Sequence, residues 1–301
     1  MEKAVFHDVR TEQQLHEVEQ LSASLKQDQT LLELMGKYHI PLEHLDTHPY
    51  KVLSWYKEVI NCLQCKGLVH CKQKETGYLN QLVDDGFLHV EKYACKYMRE
   101  KIQARKHLDN FLVNDMPDKF VEVLKINQNI ELDKSYVNAA TACTEAYSKN
   151  EGIYLYGTLG AGKTYISSCF CNNYAKQGKK VAFIHYPTFI QRMNSRIQFK
   201  EYEAELDKLK YAYFLVIDEI GGETVTEWNR DSILLPLLNA RYEKGLPTWF
   251  TSNEDLDSLE THFRFNNKSK EEEVKALRIM DRIKAMAKPV ELASENRRVY
   301  R

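Results

Sequence analysis

The sequence predicts an α/β fold: a three-layer domain with a parallel sheet between helices, preceded by a smaller α-helical, cysteine-bearing N-terminal domain. Three observations predict it. From about residue 117, short and strongly apolar runs alternate with helical patterns, the texture of a sheet buried on both faces. The first of those runs feeds a glycine-rich loop. Four of the seven cysteines crowd into residues 62–95, ahead of that region.

The length of 301 residues allows two domains. We divide the chain into residues 1–100, a basic linker at 101–116, and 117–301. In the first part, Leu15, Val18, Leu21, Leu25, Leu31, Leu32 and Leu34 recur at helical spacing, so residues 10–36 read as helix. Val52, Leu53, Trp55, Tyr56 and Ile60 continue as a second apolar stretch. Residues 62–95 read as irregular, with Gly67, Gly77 and Gly86 marking turns. Met116-Pro117 is a plausible boundary, because the residue before proline avoids the helical region.

In the second part, strands are expected at 152–156, 181–185, 213–217 and 248–251, with a last run at Val290-Glu291-Leu292. The net charge of −1 argues against bulk polyanion binding by the whole chain. No apolar stretch reaches the ~20 residues a membrane helix needs, and the N-terminus lacks a secretory pattern. A cytoplasmic protein without membrane partners is expected. An odd cysteine count there does not suggest disulfides. Cys143, Cys169 and Cys171 fall in expected helices and read as ordinary buried residues.

Gly157, Thr158, Leu159, Gly160, Ala161, Gly162, Lys163 and Thr164 fit the phosphate-loop pattern G-x-x-x-x-G-K-[ST], with a strand before and a helix after. Glycines let backbone N–H groups turn inward around phosphates, and the helix N-terminus adds partial positive charge. Lys163 would reach the β- and γ-phosphates of ATP, and the Thr164 hydroxyl would ligate Mg²⁺. The apolar run Phe214–Ile217 then ends in Asp218 and Glu219, at the ligand edge of a parallel sheet. Asp218 suits the Mg²⁺ shell, and Glu219 suits a general base. Asn253, after the next strand, could orient water against the γ-phosphate.

Cys62-x2-Cys65-x5-Cys71-x23-Cys95 could give four thiolates to one tetrahedral Zn²⁺, with His70 and His89 as alternative ligands. The segment is poor in continuous apolar surface, so a metal could supply folding energy. Residues 186–210 mix Tyr186, Phe189, Arg192, Arg196, Phe199, Lys200 and Lys208, a pattern that fits single-stranded DNA or a plain amphipathic helix.

The carboxylate pair, the polar residue on the following strand and the small three-layer domain resemble an AAA+ ATPase. More specifically, residues 117–301 resemble the bacterial replicative helicase loaders of the DnaI/DnaC type. The resemblance is carried by Tyr154-Leu155-Tyr156-Gly157, Ile217-Asp218-Glu219-Ile220-Gly221-Gly222-Glu223, Trp228-Asn229-Arg230-Asp231, the block 246–253 and the block 271–283. The sequence after Asn296 leaves no room for a helical lid, which also fits those loaders. The resemblance implies ATP hydrolysis, assembly on a hexameric replicative helicase with other primosome or initiator proteins, and delivery onto single-stranded DNA. It implies an arginine acting on a neighbouring subunit's ATP, for which Arg278 and Arg282 are candidates on one helix face. It also implies an N-terminal zinc domain that grips the helicase. Such loaders tend to use a histidine after the first cysteine pair; Gly77-Tyr78-Leu79 offers none, and Cys71 is the substitute. The alternative is a transposon-type AAA+ ATPase regulating a transposase.

Overall fold

The computed structural model describes residues 11–126, 134–196, 202–264, 270–294, 296 and 297. The chain divides into two compact units, Met1–Gln103 and Ala104–Arg301.

In the first unit, helix α1 (Glu12–Leu25) starts at a capping box between Thr11 and Gln14. The expected single helix over 10–36 is in fact two. Asp28 leaves the helical conformation and accepts the Leu31 N–H at 3.0 Å and the Tyr56 hydroxyl at 2.7 Å, which starts α2 (Gln29–Lys37). A short α3 (His44–Thr47) and a longer α4 (Pro49–Leu63) follow, the latter opened by proline at its first position. Leu31, Met35, Val52, Trp55 and Val59 form the core of this unit.

The stretch read as irregular contains a hairpin. Strand β1 (Tyr78–Asp84) pairs antiparallel with β2 (Leu88–Ala94), and Leu82 and Leu88 tuck into the helical core. Only one residue of β1 is buried, so its alternation is faint in the sequence. Helix α5 (Lys96–Arg105) follows.

The second unit holds a six-stranded sheet whose neighbouring strands all run parallel. Its elements are β3 (Phe111–Asn114), α6 (Lys134–Lys149), β4 (Gly152–Gly157), α7 (Lys163–Lys176), β5 (Val181–His185), α8 (Tyr186–Arg196), α9 (Tyr202–Tyr211), β6 (Phe214–Asp218), α10 (Leu235–Glu243), β7 (Thr248–Ser252), α11 (Leu256–Phe263), α12 (Lys270–Met286) and β8 (Ala287–Leu292). The strand order is β3-β5-β6-β7-β4-β8. The expected strands are all present.

The basic tract 101–116 is not the linker expected of it. Its end, Phe111–Asn114, is an edge strand paired with β5, so the second unit begins before residue 117. Lysine and arginine density hid a four-residue strand.

Alternate residues of β6 face opposite layers. Leu215 and Ile217 pack with Phe189, Leu237 and Ile279 on one side. Phe214 and Val216 pack with Ile166, Phe170 and Ala139 on the other. Both faces are covered, which explains why the strand reads as one unbroken apolar run. Arg241 pins the N-terminal ends of the central strands β6 and β7. It is fully buried and donates to the carbonyls of Leu209, Ala212 and Pro247 and to the Thr248 hydroxyl, at 2.7–2.9 Å.

Candidate functional site

The phosphate loop leaves the end of β4 and enters α7 at Lys163. Gly157 has φ +137°, and a Cβ there would sit 2.3 Å from the Leu292 carbonyl oxygen. Glycine is therefore required by both the backbone angle and the close pass of β8. The Lys163 ammonium is folded into the loop it would share with phosphates. It donates to the carbonyls of Gly157 (2.8 Å) and Thr158 (2.9 Å), and to Asn253 Oδ1 (2.9 Å). Lys163 and Asn253 are 90 residues apart in sequence, yet meet because β4 and β7 are neighbours.

Asp218 ends β6 and is 3% exposed. Thr164 Oγ1 donates to both its oxygens, at 3.0 and 3.2 Å, and Thr251 Oγ1 donates to Oδ1 at 2.6 Å. Burial pushes the Asp218 carboxyl up to about 6, against the two hydroxyls that favour its charged form. A buried carboxylate beside a hydroxyl is an oxygen donor set that suits a hard divalent cation.

Glu219 sits in the left-handed region with φ +59°, an uncommon angle for a residue with a side chain. Its N–H donates to Thr251 Oγ1 at 3.0 Å. That bond fixes the bend that turns Glu219 away from the strand. Its Oε2 lies 3.1 Å from His185 Nε2, and His185 Nδ1 lies 2.7 Å from Thr188 Oγ1. The bond to Glu219 raises the His185 pKa, with burial opposing it. His185 pairs with Asp218 across β5 and β6, so both strands end on this site. Sequence reading missed His185 and Thr251. The one signal for each was its place at or near the C-terminal end of a strand.

The four N-terminal cysteines gather in one patch. Burial raises the Cys62 thiol, and the neighbouring thiols of Cys65, Cys71 and Cys95 add to the effect while a bond from Gln73 opposes it. Gln73 Nε2 donates to Cys62 Sγ at 3.1 Å, and the Gly77 N–H donates to Cys71 Sγ at 3.3 Å. The Gly77 carbonyl accepts the Cys95 N–H at 2.8 Å, so one residue holds two of the four positions. His70 is exposed, and His89 faces Asp85 and Glu91. The sulfurs are not drawn into a set of atoms all within 4.8 Å of one another; among the described residues that spacing is met by Glu43, His44 and Asp84.

Comparison with known proteins decides the family. The sequence profile of the IstB-like ATP binding proteins matches residues 71–301. The chain belongs to the IstB-like ATP binding protein family. It is 28% identical over 291 residues to the replicative helicase loader DnaI of Bacillus subtilis, covering 93% of each chain. It is 32% identical over 99 residues to a candidate ATP-binding protein of insertion sequence IS21 from Pseudomonas aeruginosa, covering 32% of this chain and 36% of that one. The crystal structure of DnaI superposes with a TM-score of 0.54 at 29% identity, over 62% of this chain and 98% of that one. A candidate primosome component from Streptococcus pyogenes serotype M3 gives 0.51 at 26% identity, over 64% and 97%. The fold is that of the DnaI-like AAA+ ATPases.

For this IstB-like chain, the remaining sequence candidates are placed as follows. Arg278 and Arg282 both lie on α12; Arg278 is exposed. Arg282 donates to Asn239 and Asp281, at 2.9 and 2.7 Å, and lies over the Tyr242 ring. The aromatic candidates for base stacking are corrected. Tyr186 is 1% exposed and Phe189 0%, so neither ring is available. Arg192 is held by Asp115 at 3.0–3.1 Å and by Glu205 at 2.9 Å. The helical spacing there was that of a core face. Lys208 is exposed. Phe199 and Lys200, and the Arg196 side chain, lie outside the described residues. No described helix is long and apolar enough to cross a membrane.

Proposed function

We propose that this protein is an ATP-dependent loader that binds a replicative DNA helicase and delivers it onto single-stranded DNA. The observation that carries the reading is the match to DnaI along 93% of both chains, which includes the N-terminal unit. The match to the IS21 protein covers only 32% of this chain. That family relationship is still the reason to hold a second reading, an ATPase regulating a transposase.

In the loader reading, residues 157–164 hold the triphosphate, and Lys163 leaves its carbonyl partners for the β- and γ-phosphates. Thr164 and Asp218 would hold Mg²⁺, which neutralises charge building on the transferred phosphoryl group. Glu219 takes the proton of the attacking water, and the His185 bond sets where that carboxylate points. Asn253 Oδ1 already reaches the Lys163 ammonium, so it senses the γ-phosphate through the same contact. Arg278, on an exposed helix face, is the better placed of the two arginines to act on a neighbouring copy's ATP; Arg282 already has partners. Cys62, Cys65, Cys71 and Cys95 would hold Zn²⁺ in the N-terminal unit. N–H groups aimed at two of the sulfurs support that reading, since such bonds accompany thiolate ligands.

Co-purification with the replicative helicase of the same cell tests the function. A stable complex with the full chain is expected. Failure to bind it, together with capture of a transposase, would move the assignment to the second reading.

A further inference from the structure

Beyond β8, the chain doubles back over the phosphate loop, and the chemistry above makes no use of it. Thr158 Oγ1 donates to the Ser294 carbonyl at 2.5 Å. The Arg297 N–H donates to the Gly160 carbonyl at 3.0 Å. The Asn296 amide fills the space in front of Gly160, where an added Cβ would sit 2.1 Å from its Oδ1. The segment is anchored on α6. The Ala293 N–H donates to Ser135 Oγ at 3.0 Å, and the Arg297 guanidinium lies 4.4 Å from the centre of the Tyr136 ring. Arg297 Nε also donates to Ser294 Oγ at 3.1 Å, closing the segment on itself. Tyr136 is 3% exposed, and its ring stands 3.5 Å from where a Cβ of Gly162 would lie. The segment thus reaches the loop directly at Thr158 and Gly160, and through Tyr136 near Gly162.

The position of these contacts matters more than their number. A peptide unit is planar and trans, so its C=O and N–H point to opposite sides. Tying the Gly160 carbonyl to Arg297 therefore fixes the direction of the Ala161 N–H, which donates to the Thr158 carbonyl at 3.4 Å. That carbonyl also accepts the Lys163 ammonium at 2.9 Å, so the strap, the loop turn and the lysine share one set of bonds. Glycine-rich loops have many other conformations to choose from. Holding the loop in one shape before the ligand arrives removes an ordering cost from binding.

We propose that Ser294, Asn296 and Arg297 form a strap in cis that keeps the phosphate loop in its nucleotide-accepting shape, with Arg297 as a positioning residue anchored on Tyr136. The proposal deepens the nucleotide reading and rests on it. The ligand it serves is a nucleoside triphosphate with its metal. The strap bonds to the Gly160 carbonyl and the Thr158 hydroxyl of the loop. Any partner that draws the strap off α6 would loosen the nucleotide.

The test compares the full-length wild type with Arg297→Ala, Arg297→Lys and a deletion of residues 294–301. It measures Mg·ATP affinity, KM and kcat, and the ligand-free melting temperature. Arg297→Ala is expected to weaken binding and raise KM about tenfold, with kcat within about twofold, as removal of a cation–π anchor allows. Arg297→Lys should recover most of the loss, because its ammonium can still stand over the ring. The deletion should match or exceed Arg297→Ala. Wild-type affinity in both Arg297→Ala and the deletion would overturn the strap and leave the nucleotide site standing. So would a loss that follows a lower melting temperature and is not recovered by Arg297→Lys. A wild type that takes no Mg·ATP would overturn the nucleotide reading itself, and the strap with it.

Discussion

The two candidate ligand sites of this chain are held in opposite ways. The nucleotide site hangs on strand ends whose residues are fully buried: Ile217, Phe250 and Thr251 are at most 1% exposed. Its polar groups already bond to one another, so the frame exists before any ligand. The cysteine patch sits on the last turn of α4, which holds Cys62, the turns around a short 3₁₀ segment and the end of a hairpin with one buried residue per strand. Its four cysteines are only partly buried. A preformed site uses its ligand for chemistry, whereas a site on loose turns uses its ligand for folding.

The largest effect should follow from taking away the proposed Zn²⁺. Structural zinc contributes on the order of 10 kcal/mol in small zinc peptides. Chelation, or Cys62→Ser with Cys65→Ser, should therefore melt the region around the β1–β2 hairpin while nucleotide affinity stays unchanged. Hydrogen exchange resolves the two units. Equal protection of the hairpin with and without metal would break the comparison.

A smaller effect, confined to the other unit, is expected of Glu219→Gln. The change should keep nucleotide and lose turnover by about 10²–10⁴-fold, the usual share of a general base. Melting temperature should not move. Hydrolysis at the wild-type rate would remove Glu219 from its role.

Arg241→Met sharpens the claim that the nucleotide frame stands on buried bonds. It removes the donor to three carbonyls and a hydroxyl. Unmet buried acceptors cost about 1–3 kcal/mol each where water cannot reach them. A loss of roughly 2–4 kcal/mol in denaturant unfolding is expected after partial relaxation. A neutral outcome would mean that the N-terminal ends of β6 and β7 take up water freely.

The smallest effect is expected at Trp55, 2% exposed in the N-terminal core. Its indole N–H meets no acceptor among the described residues. Trp55→Phe trades some packing for relief of that donor, so the net change should stay within about 1 kcal/mol. A larger loss would show that the helical core, and not the proposed Zn²⁺, governs this unit.

What could be read from the sequence follows the same division. The strands of the second unit were legible because burial on two faces leaves continuous apolar runs such as Phe214–Ile217. Residues 157–164 were legible because backbone binding of phosphate demands glycine at fixed spacing. Strand β3 was not, since an edge strand of four residues needs no such run. The hairpin was not, because one inward residue per strand makes no pattern. The contact of His185 with Glu219 joins residues 34 apart, and that of Thr158 with Ser294 joins residues 136 apart. No local spacing encodes either. Tyr186 and Phe189 fitted two readings, a single-strand surface or an amphipathic helix, because aromatic residues among arginines suit either, and their burial selects the helix.

Calorimetric titration of Mg·ATP into the full-length chain, beside Lys163→Ala, tests the central claim most directly. One site per chain is expected in the wild type, and none in the variant at the same concentrations. Absence of heat in the wild type, or an unchanged isotherm in Lys163→Ala, would contradict the account.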